Sequence, residues 1–224
     1  MYMEEQVSLF DKAVKELERR AEEFYSISSD YHKLPKDIQS QRKASLKRVR
    51  EHLECQKVNV EIMASIQAKL DEYRAQGLDA TIGERAEVEL KQENLLNEKH
   101  HPTKVLARFM VAACKPRPSP NHSAHHIVPG KGKSRFAYLA RVQIHINGVR
   151  INDPDNGVWL PSYKKHIPDW ALPNSLSHLE YHTKIYEHKV WNRIRGHREK
   201  QLRFQLNILG KMLQENTLLP RSSR

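Results

Sequence analysis

The chain has 224 residues, 38% of them apolar and 29% charged, enough for one domain or two modest ones with real cores. No run of eighteen apolar residues is present, which excludes a membrane-spanning helix, and the first residues lack the basic and then apolar pattern of a signal peptide. The net charge is +11, and all of the excess falls in the second half. Residues 1–113 carry 19 Lys and Arg against 20 Asp and Glu, whereas residues 114–224 carry 19 against 7. A basic half beside a neutral one is what a phosphate-binding module joined to a neutral module would show. The two cysteines, Cys55 and Cys114, lack metal-type spacing and read as reduced thiols.

The first half reads as helix throughout. Val7, Phe10, Val14, Leu17, Ala21 and Phe24 follow a 3-4-3-4-3 spacing, the seam of a helix that pairs with another. Residues 26–35 hold little periodic signal and predict a break. A second helix is predicted over about 37–75, stopped at Gln76-Gly77, and a third over about 82–97. No chemistry is visible here. The reading is a helical or coiled-coil-like domain, 1–113, for packing, delivery or partner binding.

One more apolar helix is predicted over 104–114. Pro116, Pro118 and Pro120 then fall at every second position, which ends helix and places a domain boundary near 113/114. Residues 114–224 change style. A short extended stretch surrounds His125-His126, followed by a Lys/Gly-rich loop and a helix over about 134–146. Asn156-Gly157 predicts a turn into a second extended run, and a last long helix is predicted over about 175–215, bent or interrupted at Gly196.

Four imidazoles carry the chemistry. In a strand, His125 and His126 point to opposite faces, so one ring can bind a metal while the other handles protons. On a helix, His178 and His182 share a face and can close on one ion. Singly, each pair reads better as ordinary strand or surface-helix residues. A structural zinc site would want Cys ligands and a closed fourth position, whereas three His ligands leave room for water or phosphate. Lys131, Lys133 and Arg135 follow the His-His segment, and Arg193 and Arg195 lie on the last helix. Both sets are candidates for gripping nucleic-acid phosphates. No aromatic platform for stacking bases is evident, which points to low sequence specificity.

Three strings carry a resemblance: Ser123-Ala-His-His-Ile-Val-Pro129, Ile151-Asn-Asp-Pro-Asp-Asn-Gly-Val-Trp-Leu-Pro161, and His178-Leu-Glu-Tyr-His182-Thr-Lys-Ile-Tyr186. In this order and spacing the chain resembles the HNH/endonuclease VII superfamily, and within it the AHH subgroup of bacterial toxin nucleases. The resemblance implies a mostly α protein, its helical N-terminal half joined to a C-terminal ββα-metal nuclease domain over 114–224. It implies His126 as the general base, with His125, His178 and His182 as ligands of one divalent ion (Mg, Mn, Zn or Ni). It gives Asn156 the place of the Asn that orients the base through the loop or touches the metal, and Tyr186 a packing role. The insertion over 162–177 is longer than in colicin-type relatives.

The activity so implied is hydrolysis of DNA by an antibacterial toxin or secretion-system effector. Such a protein is made in the cytoplasm, delivered into a target cell, and held in check by a cognate immunity protein, with delivery machinery meeting the helical half. A nuclease of phage, recombination or restriction systems, or one acting on RNA, fits the same residues. So does a helical interaction protein whose finger binds nucleic acid without cutting.

Overall fold

The computed structural model describes residues 9–98 and 103–219, so Val7 of the predicted seam lies outside the described residues. Seven α-helices and one two-stranded sheet are found there. No helix among the described residues is long and apolar enough to cross a membrane, and Cys55 and Cys114 form no disulfide.

The chain divides into two compact units, 1–68 and 69–224, and the long helix α2 spans the division. The first unit holds α1 (Leu9–Tyr31) and most of α2 (Lys36–Asp79). The break predicted over 26–35 is shorter in the structure, because α1 continues to Tyr31. At that turn the Tyr31 hydroxyl donates to Gln39 O at 2.9 Å and Gln39 Nε2 donates to Leu34 O at 2.8 Å. No residue from 10 to 68 is buried, so this hairpin has no core of its own.

The second unit begins within α2, well before the boundary near 113/114 expected from the Pro-rich run. The local helix-breaking signal is real, yet tertiary packing gathers helices from both sides of it. Gly77 shows how. It does not stop α2, which runs to Asp79; it is buried where the helix meets the Gly148 turn, and an added Cβ would sit 2.6 Å from Gly148 O. α3 (Arg85–Leu96) lies against α5, and α4 (Lys104–Ala112) covers one face of the sheet.

That sheet pairs β1 (His122–His126) antiparallel with β2 (Gly157–Pro161), with His125 opposite Val158 and His126 opposite Gly157. Between the strands come α5 (Arg135–His145) and a single 3-10 turn, Pro154–Asn156. Period-2 alternation sorts the faces. Ala124 and Trp159 pack with Leu106 and Met110 of α4, while Val158 and Leu160 join the main core. Gly157 is required where α4 comes closest, since a Cβ there would stand 2.7 Å from Met110 Sδ.

The predicted last helix is three elements. A 3-10 turn, His178–Tyr181, precedes α6 (Lys184–Ile194), and α7 (Glu199–Gln214) follows. Each junction has a local cause. Thr183 Oγ1 caps α6 by accepting the Tyr186 N–H at 3.1 Å. Gly196 separates α6 from α7 at φ +79, a left-handed conformation that other residues rarely adopt. Tyr181, Tyr186, Val190, Ile194, Leu202, Leu206, Leu209 and Leu213 from these elements close the core over β1 and β2.

Candidate active site

Strand alternation sends the adjacent histidines in opposite directions, and each finds a different set of partners. The His125 ring lies among His178, Tyr181, His182 and Tyr186, with ring centroids 5.5 to 6.0 Å away. One ligating nitrogen from each of His125, His178 and His182 falls within 4.8 Å of the others, a spacing that could hold one metal ion. His178 and His182 do not reach it from one α-helical face. His178 opens the 3-10 turn and His182 stands just past its end at ψ 60, so the tighter turn brings both rings around. The turn is held by Glu180, whose Oε2 accepts from Ser177 N at 3.0 Å and Ser177 Oγ at 2.8 Å.

Hydrogen bonding fixes which nitrogen His125 presents. The Tyr186 hydroxyl has one proton and donates it to Ile127 O at 2.6 Å. His125 Nε2, 3.2 Å from the same hydroxyl, must therefore be the donor, which leaves the lone pair on Nδ1. All three rings are held neutral. Burial depresses the pKa of His125 well below 6.5, reinforced by His178, His182 and His126. Burial and His182 depress His178, and burial and Lys133 depress His182, with Glu187 opposing. Neutral imidazoles close together with lone pairs available suit a cation. His178 Nδ1 is also buried without a hydrogen-bond partner, as expected of a nitrogen kept for one. The residues fit a divalent metal.

His126, on the other face, is 6% exposed, and its Nε2 lies 2.9 Å from Asn152 Oδ1. An amide oxygen only accepts, so Nε2 carries the proton and Nδ1 the lone pair. Among the described residues Asn152 makes no other side-chain hydrogen bond, its Nδ2 being buried and unpartnered. Sequence reasoning missed Asn152, since nothing in the string Ile151-Asn-Asp-Pro marks it apart from its neighbours.

Asn156 is fully buried, and both ends of its amide are spent on backbone. Oδ1 accepts from Val128 N at 2.7 Å, and Nδ2 donates to Val128 O at 3.1 Å and Ile151 O at 2.8 Å. It staples the segment after β1 to the loop before β2. Asp153 braces that loop, receiving Arg74 and Arg203 at 3.1 to 3.2 Å. Burial works against the Asp153 charge, but these two guanidiniums outweigh it and hold its pKa below the usual value.

The five predicted phosphate-binding side chains are all exposed. Lys133 borders the triad, with its Nζ donating to His182 O at 3.1 Å and its N–H to the buried Glu187 carboxylate at 2.7 Å. Lys131 and Arg135 flank it in sequence. Arg193 and Arg195 stand at the far end of α6, roughly 16 Å along the helix from Lys184. The insertion also exposes two aromatic faces that sequence reasoning did not count as a platform, Trp170 at 80% and Tyr163 at 55%, beside exposed Lys164 and Lys165. His122 and His145 are buried. His122 Nε2 faces Asp169 at 3.2 Å, tying the insertion to β1.

A His triad that could hold a cation, with a second imidazole on the reverse of the same strand, offers groups suited to work on a phosphate ester. Residues 106–207 match the model of AHH, a nuclease family of the HNH/ENDO VII superfamily with conserved AHH. The Ala-His-His run within the match is Ala124–His126. No curated protein and no solved structure matches the chain.

Proposed function

We propose that this nuclease is a metal-dependent endonuclease that hydrolyses DNA phosphodiester bonds with low sequence specificity. The observation that carries the reading is the pairing of a neutral triad, His125, His178 and His182, with His126 held through Nε2 by Asn152. β1, β2 and the segment from His178 into α6 serve as the ββα-metal finger. When bound by the triad, a divalent ion supplies charge stabilisation to the phosphate and the leaving 3′ oxygen. His126 takes a proton from the attacking water at Nδ1, because Nε2–H is committed to Asn152. Asn156 contributes by holding the backbone that carries both strands, since all three of its side-chain hydrogen bonds go to main chain. Lys131, Lys133 and Arg135 grip phosphates next to the triad, and Arg193 and Arg195 extend the contact.

The basic charge of residues 114–224 supports nucleic acid as the substrate, and resemblance to the AHH subgroup supports a toxin or secretion-system effector with a cognate immunity protein. Delivery into a target cell would use the helical N-terminal region. A gene for a small protein that relieves toxicity on co-expression tests that part of the reading.

The enzymatic reading is tested by cleavage of plasmid DNA and of RNA by wild type and His126→Ala, first with EDTA and then with Mg²⁺, Mn²⁺, Ni²⁺ or Zn²⁺ restored. Expected are metal-dependent nicks in DNA and a loss of about 10²- to 10⁴-fold in the variant. Cutting of RNA alone would overturn the substrate assignment. Binding without cutting at any metal and low salt would overturn catalysis and leave a nucleic-acid-binding finger.

A further inference from the structure

The helices before residue 106 lie outside the family match, yet two of their side chains reach the loop that orients His126. Tyr73, near the end of α2, accepts the backbone N–H of Asn152 on its hydroxyl at 3.0 Å. The same hydroxyl donates to Glu98 Oε1 at 2.9 Å, so its donor and acceptor roles are both filled and its position is fixed. Glu98 Oε2 in turn takes Arg150 Nη2 at 2.9 Å, and the Arg150 guanidinium lies 3.8 Å from the Tyr73 ring centroid. Phe109 of α4 packs against that ring at 5.2 Å. Burial, with the Glu98 carboxylate beside it, keeps the phenol pKa far above its ordinary value, so the hydroxyl stays protonated through the working pH range. Arg74, the next residue, binds Asp153, the residue after Asn152.

We propose that Tyr73 is a positioning residue for His126, acting through the backbone of Asn152, and that residues 69–98 are therefore part of the catalytic unit. The path between them is short: Tyr73 Oη to Asn152 N at 3.0 Å, then Asn152 Oδ1 to His126 Nε2 at 2.9 Å. Among the described residues Asn152 has no other side-chain bond to hold its amide in register, so the place of its backbone decides where Oδ1 stands. The inference rests on the proposed role of His126 as base, but its readout need not.

The test uses the full chain and the variants Tyr73→Phe, Asn152→Ala and the double variant. Two quantities are measured: kcat and KM on plasmid DNA, and the His126 ring tautomer from its ¹⁵N shifts. Tyr73→Phe is expected to lower kcat about tenfold at unchanged KM, the effect of removing one buried hydrogen bond. It is also expected to turn the single Nε2–H tautomer into a mixture. The double variant should be no worse than Asn152→Ala, because both act on one interaction. A wild-type tautomer with full kcat in Tyr73→Phe would overturn the proposal, as would losses that multiply in the double variant. If wild type cuts no nucleic acid, the proposed function fails, and the tautomer still decides the positioning. Should Tyr73→Phe fail to fold, Glu98→Gln loosens the same hydroxyl and is judged by the same two quantities.

Discussion

Tyr186 stands between His125 and the carbonyl of Ile127, its hydroxyl 3.2 Å from the first and 2.6 Å from the second. The bond to Ile127 uses the only hydroxyl proton, so it sets the His125 tautomer and leaves the lone pair on Nδ1. Resemblance alone assigns Tyr186 a packing role. It does pack, being 1% exposed, but its oxygen also sets the tautomer of His125. Tyr186→Phe is expected to keep the fold and to weaken binding of Zn²⁺ or Mn²⁺ about 10- to 100-fold in a calorimetric titration. Unchanged affinity would show that the tautomer is set elsewhere or that the triad is not the metal site.

Asn156 makes a contrasting prediction. Its three buried bonds all go to main chain, so its loss should act on stability ahead of chemistry. Asn156→Ala leaves the N–H of Val128 and the carbonyls of Val128 and Ile151 to find other partners, at a cost of roughly 2–4 kcal/mol. Urea unfolding should show that loss, while metal affinity per folded molecule stays within about threefold of wild type. A large fall in metal affinity with little change in stability would instead make Asn156 a ligand.

The contrast between these residues shows what is legible in the sequence. Adjacent histidines in an extended segment must face opposite ways, so the separate surroundings of His125 and His126 follow from period 2 alone. The pairing of His178 with His182 is legible too, but the element that carries them is not. Spacing by four suggests an α-helical face, whereas Thr183 caps a new helix after them and leaves His178 on a 3-10 turn with His182 just past its end. Asn152 and Tyr73 are out of reach for another reason. Their hydrogen bonds join residues 26 and 79 positions apart in the chain, and no local pattern encodes a single long-range hydrogen bond. The same holds for the domain boundary, where the prolines mark a local break and Gly77 and Arg74 pack across it.

The basic side chains can be ranked by where they stand. Lys131 and Arg135 are exposed and flank Lys133, which touches the carbonyl of His182, so under the proposed function they are the basic side chains next to the triad. Lys131→Gln with Arg135→Gln should reduce the slope of log affinity against log salt by about 2, one unit for each phosphate no longer neutralised. Fluorescence anisotropy with a labelled duplex, using the His126→Ala background to prevent cutting, gives the slope. A weaker affinity with the slope unchanged would mean that these side chains do not neutralise phosphates.

His145 carries a pH prediction that is independent of any metal. It ends α5 with 1% exposure, and neither ring nitrogen has a hydrogen-bond partner among the described residues. Burial, followed by the charges of Arg141 and Arg150, lowers its pKa from 6.5 to about 4. Between those values the unfolded chain takes up a proton that the folded chain refuses, so stability rises with pH across this window. The contribution is fully retained above pH 6.5, is lost as the pH falls toward 4, and levels off below that. Its size is on the order of 3 kcal/mol. His125, His178 and His182 are shifted in the same direction and add to the slope in metal-free protein. His145→Leu removes one titrating group while filling most of the space. It should therefore flatten, without abolishing, the fall in unfolding free energy measured in urea from pH 7.5 to 4.5. A variant with the wild-type slope would mean that His145 is protonated in the folded protein, with a solvent path or partner that its burial does not suggest.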